Sequence, residues 1–260
     1  VLGGDFNDTQ NYYWRGLGSD SQARTTSTNL NNSYLKKTSV LSETTLAYAK
    51  EIGKHDISAV VGVEFQNTFF KGVALTGTNV PYGDIINYNL LAPADIKTVN
   101  TDQQIARKSV FGRVNYAYDD RYLVSVSLRR DGDSRFGSNS KYATFPAVSL
   151  GWNVHNEAFY KSEFLNLLKL RVSRGSLGTT SFLGAYDALS VLTVTPTALC
   201  TGYLIPANVA NEDLTWQTNT ETNFGVDTGF LNNRFKFSVD YYTSDIKDIL
   251  IKQPKSEVIG

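Results

Sequence analysis

Side chains that could do covalent or metal chemistry are few and scattered in this sequence. The two histidines, His55 and His155, lie far apart, with no cysteine or carboxylate cluster at ligand spacing, and Cys200 is the one cysteine. A lone thiol excludes an internal disulfide and a site built from several thiolates. No G-x-S-x-G, H-E-x-x-H or C-x-x-C motif occurs. We therefore predict no catalytic residue, no metal and no cofactor, and a chain that is not an enzyme.

Two short strings resemble ligand-binding motifs, but each departs from the pattern that its chemistry needs. Gly72 to Gly77 has the glycine spacing of a phosphate loop, yet Thr78 and Asn79 stand where the lysine and the hydroxyl residue belong. Asp131 to Asp133 could begin a calcium loop, but the glutamate that ends such a loop is missing. We interpret the first string as chance and the second as a loop turn.

Charge and composition restrict the class of partner. The 25 Lys and Arg balance the 25 Asp and Glu, and the pI is about 6.9, which argues against a nucleic-acid partner. The chain has no Met, and Val1 opens no signal segment. We expect an interior part of a longer protein, with both ends set artificially.

The elements that carry these residues are strands, because apolar and polar residues alternate with a period of two along most of the chain. No apolar run approaches the ~18 residues of a transmembrane helix. We predict an all-β chain of about eight strands, each near the roughly 9 to 11 residues of a tilted bilayer span. The strands begin near Val40, Ile57, Val110, Tyr122, Ala147, Leu168, Thr222 and Phe235.

Connection lengths predict the architecture. Tight turns follow the first, third and seventh strands, whereas long connections are expected at about 67–107, 131–143 and 177–213. A short connection after the fifth strand has the composition for one or two helical turns between Glu157 and Leu168. Short turns that alternate with long loops are typical of a transmembrane β-barrel, with the long loops outside the cell.

Aromatic and charged residues favour the same architecture. Tyr118, Tyr122, Phe230 and Phe235 flank tight turns, where an interfacial girdle belongs. Charged residues fall on the polar row of each strand, as a wet barrel interior requires: Glu64, Arg113, Arg129, Arg171, Glu221, Asp227, Lys236 and Asp240. A soluble β-sandwich also alternates in this way and stays open as an alternative.

Several strings, in this order and spacing, closely resemble the barrel of SusC/RagA-type TonB-linked (TonB-dependent) outer-membrane transporters. They are SVFGRVNYAY (109–118), YLVSVSLRRDG (122–132), SRFG (134–137), FPAVSLGW (145–152), LKLR (168–171), FLNNR (230–234) and FSVDYY (237–242). The residues that we match to the family motifs are Gly112, Arg113, Arg130, Asp131, Gly132, Arg135 and Phe136. Asp133 departs from the family pattern, which has a small residue there, and this puts any ion-binding or loop-anchoring role in doubt.

The resemblance implies a partial barrel of the wide, plugged, roughly 22-stranded kind. Residues 1–39 would be an outer loop or an edge strand, 40–250 about eight meander strands, and 251–260 the start of the next loop. The plug domain, the TonB box and the closing strand would lie outside this chain. We expect an open curved sheet, with the strands of Val40 and Tyr241 as its two edges.

The resemblance also implies a function. The protein would import an oligosaccharide or a peptide across the bacterial outer membrane, energised by the TonB complex and capped by a SusD-like surface lipoprotein. Outer-membrane lipid would surround this segment, and nucleic acid would not be a partner. Two alternatives stay open: a soluble or surface-attached glycan-binding β-sandwich, and an iron-chelate receptor of the same barrel type.

Aromatic residues of the predicted outer loops are the candidates for contact with a cargo or a lid, because aromatic faces stack on sugars and on apolar side chains. Packing of the loops against one another is the alternative for each of them. The candidates are Tyr12, Tyr13, Trp14, Phe69, Phe70, Tyr82, Tyr88, Phe136, Tyr142 and Tyr203.

Overall fold

The computed structural model describes residues 1–15, 29–80, 87–162, 164–180, 183–195, 203–206 and 208–251. The predicted all-β fold is confirmed. The strands are β1 (Leu2–Arg15), β2 (Asn29–Ile52), β3 (His55–Thr78), β4 (Ile96–Tyr118), β5 (Tyr122–Asp133), β6 (Tyr142–Asn153), β7 (Leu165–Thr179), β8 (Leu192–Thr195), β9 (Tyr203–Pro206), β10 (Gln217–Phe230) and β11 (Phe235–Lys247). No helix within the described residues is long and apolar enough to cross a membrane.

Nine strands form one sheet in the order β1-β2-β3-β4-β5-β6-β7-β10-β11, and β8 pairs with β9 separately. The registers resolved for the sheet, from β1–β2 and from β4 to β11, are antiparallel. The edges are β1 and β11, so the prediction that the Val40 strand is an edge was wrong, since Gly4 of β1 pairs with Val40. A sandwich of two large sheets is not what the described residues form.

The chain divides into two compact units by its contacts. The first comprises Val1–Ser42 and Gln66–Ala106, and the second comprises Glu43–Phe65 and Arg107–Gly260. Each unit has its own small apolar core. In the first, Leu30, Val80 and Leu91 are buried, with Tyr88 and Ile96 packed against them.

Strands β2, β3 and β4 are far longer than the alternation predicts, at 24, 24 and 23 residues. The predicted loop at 67–107 is therefore mostly strand, and its connection runs from Asn79 to Asp95. The extended parts pack partly through polar side chains: Ser39 of β2 and Thr68 of β3 are buried, with their hydroxyl oxygens 3.1 Å apart. The sequence pattern does not reveal these extensions, because polar residues such as Asn67 and Asp102 interrupt the alternation. Only a strand with one apolar face shows a period of two.

The tight turns match the sequence prediction. Gly53 has φ +59°, Asp119 and Asp120 have φ +53° and +49°, and Asn232 and Asn233 have φ +58° and +61°. Glycine, Asn and Asp tolerate this left-handed conformation, which the turns of twisted hairpins require.

The connection between β6 and β7 is not the helix that we expected. Its one helical feature in the described residues is a 3-10 turn at Val154–Asn156, and β7 starts at Leu165. Tyr160 donates its hydroxyl hydrogen to the carbonyl oxygen of Leu165, 2.9 Å away. The segment is thus a turn held by hydrogen bonds, and its Phe159 and Phe164 are exposed.

Candidate functional site

The register of the second unit separates an apolar face from a polar face. Val114 pairs with Val126, which pairs with Val148, and Leu170 pairs with Val226, which pairs with Val239. Directly paired residues lie on the same side of a sheet. We call this side the apolar face. On it Val126 and Leu128 are 51% and 54% exposed.

The apolar face exposes large apolar side chains, and their contact with water is unfavourable. Large apolar residues on it continue from strand to strand, and those at least 40% exposed include Val61, Phe65, Val110, Val114, Val126, Leu128, Val148, Leu150, Phe224, Val226, Phe237, Val239 and Tyr241. Contiguous apolar patches of this kind mark contacts with protein or membrane.

Aromatic residues border the apolar face beside the tight turns. Tyr118 pairs with Tyr122, and Tyr122 pairs with Trp152, so the three rings share one level of the sheet. The indole nitrogen Nε1 of Trp152 donates to Glu157 Oε1 at 3.0 Å. Rings with an apolar body and a polar tip suit the boundary between lipid and water.

The opposite side, which we call the polar face, carries ion pairs and hydrogen bonds between strands. Arg171 of β7 donates from Nε and Nη2 to the two carboxylate oxygens of Asp227, at 2.7 and 2.9 Å. Its Nη2 also lies 3.2 Å from Asp240 of β11. A Cβ at Gly225 would lie 2.8 Å from the guanidinium carbon, so glycine leaves the room in which Arg171 crosses β10.

A second network lies on the polar face around Arg129 of β5. Its guanidinium pairs with Asp131 at 2.6 Å and with Glu64 of β3 at 3.3 Å. Arg129 also lies over the ring of Phe111, 5.4 Å from the centroid. That ring in turn occupies the space beside Gly62 where a side chain would stand. Glycines of this face thus make room for large neighbours.

Between the two networks lies a row of hydroxyl and amide side chains. Asn115 pairs with Ser125, Ser125 with Ser149, and Ser149 with Ser173. Ser125 donates to Asn115 at 2.7 Å. The same residues line a shallow groove together with Asp56, Ser58 and Arg171. The polar face therefore offers donors and acceptors to water or to a polar solute.

Asp133, at the end of β5, is the centre of a buried cluster of charges. Its side chain is 0% exposed and pairs with Arg135 at 2.6 Å and with Arg107 of β4 at 3.0 Å. Arg135 Nη1 donates to the carbonyl oxygens of Thr180 and Leu183, at 3.0 and 3.4 Å. One carboxylate thus joins β4, β5 and the segment after β7.

An apolar cluster lies in the same region of the second unit. Phe136, Phe145 and Trp216 are buried, and the Phe136 and Trp216 rings lie 4.4 Å apart. The backbone nitrogen of Gly137 donates to the carbonyl oxygen of Leu214 at 3.1 Å. A side chain at Gly137 would collide with the backbone of Glu212. The connections that follow β5 and β7 therefore pack against each other. We call this packed region, which contains Asp133, Arg135, Phe136, Phe145 and Trp216, the folded base.

Those of the ten aromatic candidates that the structure describes have different surroundings within their units. Phe136 is buried, and Tyr88 packs in the core of the first unit and donates to the carbonyl oxygen of Leu75 at 2.8 Å. Tyr12 and Tyr13 are exposed on the edge strand β1. Phe69 and Phe70 are half-buried on β3, and Tyr142 is exposed on β6. Tyr82 and the side chains of Trp14 and Tyr203 lie outside what the structure describes.

The family-motif residues lie on both faces of the sheet and in the folded base. Gly112 and Arg130 lie on the apolar face, as does Gly132, which contacts the Tyr142 ring. Arg113 and Asp131 lie on the polar face. Arg135 and Phe136 belong to the folded base.

Sequence reasoning misses the partners of Asp133, because Arg107 lies at the end of the loop predicted at 67–107. The available signal for these ion pairs was the pattern of charges at every second position, with one arginine on either side of two aspartates: Arg129, Asp131, Asp133 and Arg135.

Within the described residues, the side chains that could catalyse a reaction or bind a metal ion do not lie close together. No group of three or more His, Cys, Asp or Glu there is placed to hold a metal ion. His55 Nδ1 lies 2.8 Å from the hydroxyl of Tyr116, and His155 Nδ1 lies 3.1 Å from the carbonyl oxygen of Leu168. Cys200 lies outside the described residues. Both histidines thus serve as hydrogen-bonding groups beside tight turns.

A network of charges joins the tight turns. Asp119 pairs with Lys54 and Arg121, each at 2.9 Å, and Arg121 lies 3.6 Å from Glu157. The hydrogen bond from Lys54 lowers the pKa of the Asp119 carboxyl below its usual range. The hydrogen bond from Trp152 does the same for the pKa of Glu157.

These lowered pKa values predict a loss of stability in acid. A carboxyl whose pKa is lower in the folded state contributes stability above its ordinary pKa, about 4, and loses it as the pH falls through the folded value. We expect the melting temperature of the intact protein to fall over this range. The Glu157→Gln variant should show a smaller fall, and an identical pH profile for the variant would contradict the role given to Glu157.

Comparisons with known proteins give the family. Residues 2–259 match the model of the TonB dependent receptor-like, beta-barrel family. TonB-dependent receptor P3 of Formosa agariphila is 33% identical over 234 residues, which are 87% of this chain and 23% of that protein. TonB-dependent receptor SusC of Bacteroides thetaiotaomicron is 30% identical over 213 residues, which are 78% of this chain and 20% of that protein.

A solved structure described as that of the RagAB peptide transporter is also similar. It superimposes with a TM-score of 0.81 at 26% identity, over 99% of this chain and 29% of that chain. The chain thus spans between a fifth and a third of the length of these relatives. These matches confirm the resemblance found in the sequence, and membership in a family of receptors agrees with the prediction that the chain is not an enzyme. The chain belongs to the TonB-dependent receptor-like β-barrel family, and its strands are part of an outer-membrane barrel wall.

Proposed function

We propose that the protein imports an oligosaccharide or a peptide across the outer membrane, and that this segment supplies barrel wall and outer loops. The observation that carries the proposal is the pairing of an exposed apolar face with a polar face built from ion pairs and hydroxyls. Val126 and Ser127 are adjacent on β5 and lie on opposite faces, which would be in contact with lipid and with water respectively. The apolar face would contact lipid and the polar face the aqueous interior.

The polar face has the chemistry for passage of a polar, uncharged solute. Asn115, Ser125, Ser149 and Ser173 present amide and hydroxyl groups, which exchange hydrogen bonds with sugar hydroxyls and peptide amides as readily as with water. The nearby charges of Arg171 and Asp227 are already paired with each other. Such a wall lets a solute pass without holding it by strong charge attraction.

The partners follow from the relatives. SusC is a TonB-dependent receptor by name, and RagAB is a peptide transporter by its description. We infer by analogy that this protein draws energy from the TonB complex and works with a SusD-like surface lipoprotein. The folded base around Asp133 and Phe136 would hold the outer loops that meet the lipoprotein.

A growth experiment tests the proposal. Deletion of the gene should abolish growth on one limiting oligosaccharide or peptide, and removal of TonB should do the same. The Ser125→Leu/Ser149→Leu variant, which makes the polar face apolar, should slow uptake in a complemented strain. The control Val124→Leu/Leu150→Val, on the apolar face of the same strands, should leave uptake unchanged. A defect confined to growth on scarce iron would support the iron-chelate alternative instead.

The topology gives a separate prediction. The connections at 79–95 and 180–216 lie opposite the tight turns, so we expect them outside the cell. An epitope inserted after Asn79 or at Thr201 should bind antibody on intact cells, and one inserted after Asp120 should not. Binding at Asn79 and Thr201 only after permeabilisation would reverse the orientation of the wall.

A further inference from the structure

The apolar face of the second unit carries exposed cations where apolar residues are expected. Lys108 pairs with Gly132, and Arg130 pairs with Val110, so both side chains lie on the side of Val114 and Val126. Both are exposed. Neither takes part in an ion pair within the part of the chain that the structure describes.

These two cations lie at one border of the apolar band. About one bilayer span, roughly 9 to 11 residues, separates Lys108 from Tyr118 on β4 and Arg130 from Tyr122 on β5. The tyrosines mark the border at the tight turns. Lys108 and Arg130 therefore mark the opposite border, on the side of the long connections. Arg174 of β7 is also exposed on this face, but it pairs with Val148, which pairs with Val126, and so it does not belong to the border at Lys108 and Arg130.

Aromatic rings support both side chains. Lys108 Nζ lies 5.5 Å from the centroid of the Phe65 ring, and the Arg130 guanidinium lies 5.4 Å from that of Tyr142. The Tyr142 ring also covers Gly132, the residue that pairs with Lys108. The charged ends of two cations on neighbouring strands thus lie over aromatic rings, and no carboxylate among the described residues pairs with either of them.

We propose that Lys108 and Arg130, with Phe65 and Tyr142, form a binding site for the phosphate group of an anionic lipid in the outer leaflet. A cation that projects from this face meets lipid and not the aqueous interior, so headgroup phosphate is the partner of opposite charge within reach. Arginine and lysine are the side chains that bind phosphate most strongly. The acidic residue Asp245 lies on the same face but on β11, away from this pair.

Native mass spectrometry of the intact protein in mild detergent tests the site. The probes are monophosphoryl lipid A, the same lipid without its phosphate, and inorganic phosphate. Each basic residue at an anionic surface strengthens association about fivefold. The Lys108→Gln/Arg130→Gln variant should therefore bind the phosphorylated lipid about 25-fold more weakly. The control Arg113→Gln/Lys169→Gln removes the same charge from the polar face and should bind as the parent does.

The alternatives give different results. Equal loss in the variant and the control would show a general charge effect and overturn the site. Equal binding of the lipid with and without phosphate, or binding of inorganic phosphate with no preference for the phosphorylated lipid, would also overturn it. Heat-modifiable mobility on gels establishes that both variants are folded, so that weaker binding cannot be attributed to a lost barrel.

Discussion

Replacement of Asp133 with alanine is expected to lower the free energy of unfolding of the intact protein by about 3 to 5 kcal/mol, the cost of leaving a buried charge without its partner. The charge left behind is that of Arg135, whose side chain is 7% exposed. Urea-induced unfolding of the purified protein in lipid vesicles measures the change. The Asp133→Asn variant should also be destabilised, because it keeps the shape and loses the charge.

Asp131→Ala is the matched control for this prediction. Asp131 lies two residues away and pairs with Arg129, whose side chain is 38% exposed and has Glu64 as a second partner. A partly solvated pair of this kind contributes about 0 to 1 kcal/mol. If Asp131→Ala and Asp133→Ala were equally destabilising, the buried cluster at the end of β5 would have no special role. Protease sensitivity of the outer connections should rise only in the Asp133 variants.

Arginine in place of Val126 or Val226 is expected to cost about 2 to 4 kcal/mol if these positions lie near the middle of the bilayer. Both residues lie near the middle of the apolar face, and they are 51% and 40% exposed in the isolated segment. In a membrane that exposure is exposure to hydrocarbon, where a guanidinium loses its hydration. Unfolding in lipid vesicles and the yield of heat-modifiable barrel are the measurements.

Ser127→Arg supplies the control, since Ser127 follows Val126 on β5 but lies on the polar face, opposite Ala147. It should cost little, because a wet interior solvates the new charge. Normal insertion and stability of Val126→Arg and Val226→Arg would contradict a lipid-facing apolar row. Equal damage from Ser127→Arg would indicate that both faces are packed against protein.

The strands near the tight turns could be predicted from the sequence because each has one face in lipid and one in water. Val110 to Tyr118 and Tyr122 to Leu128 show this alternation over their whole length. The outer halves of β2, β3 and β4 could not be predicted in this way. These parts pack partly through polar side chains such as Ser39 and Thr68, and residues such as Asn67 and Asp102 interrupt any period of two.

The charge networks were predictable in kind but not in partner. The polar row already contained Arg171, Asp227 and Asp240, but which of them pair depends on a register that the sequence does not specify. Asp133 was harder to interpret, because one partner, Arg107, comes from β4, and the other, Arg135, donates to the carbonyl oxygen of Thr180 in a distant part of the chain. The burial of Phe136 likewise depends on Trp216, which no local pattern connects to it.

The most direct test of the account is a spin-label scan along β5 in the intact protein, reconstituted in lipid vesicles in a background without other cysteines. Nitroxides placed in turn at positions 123 to 129 report collisions with oxygen, which concentrates in lipid, and with a water-soluble nickel reagent. The account predicts oxygen maxima at Val124, Val126 and Leu128 and nickel maxima at Ser125 and Ser127, two patterns of period two that are out of phase. Profiles that rise and fall together, or nickel access at Val126 equal to that at Ser127, would contradict it.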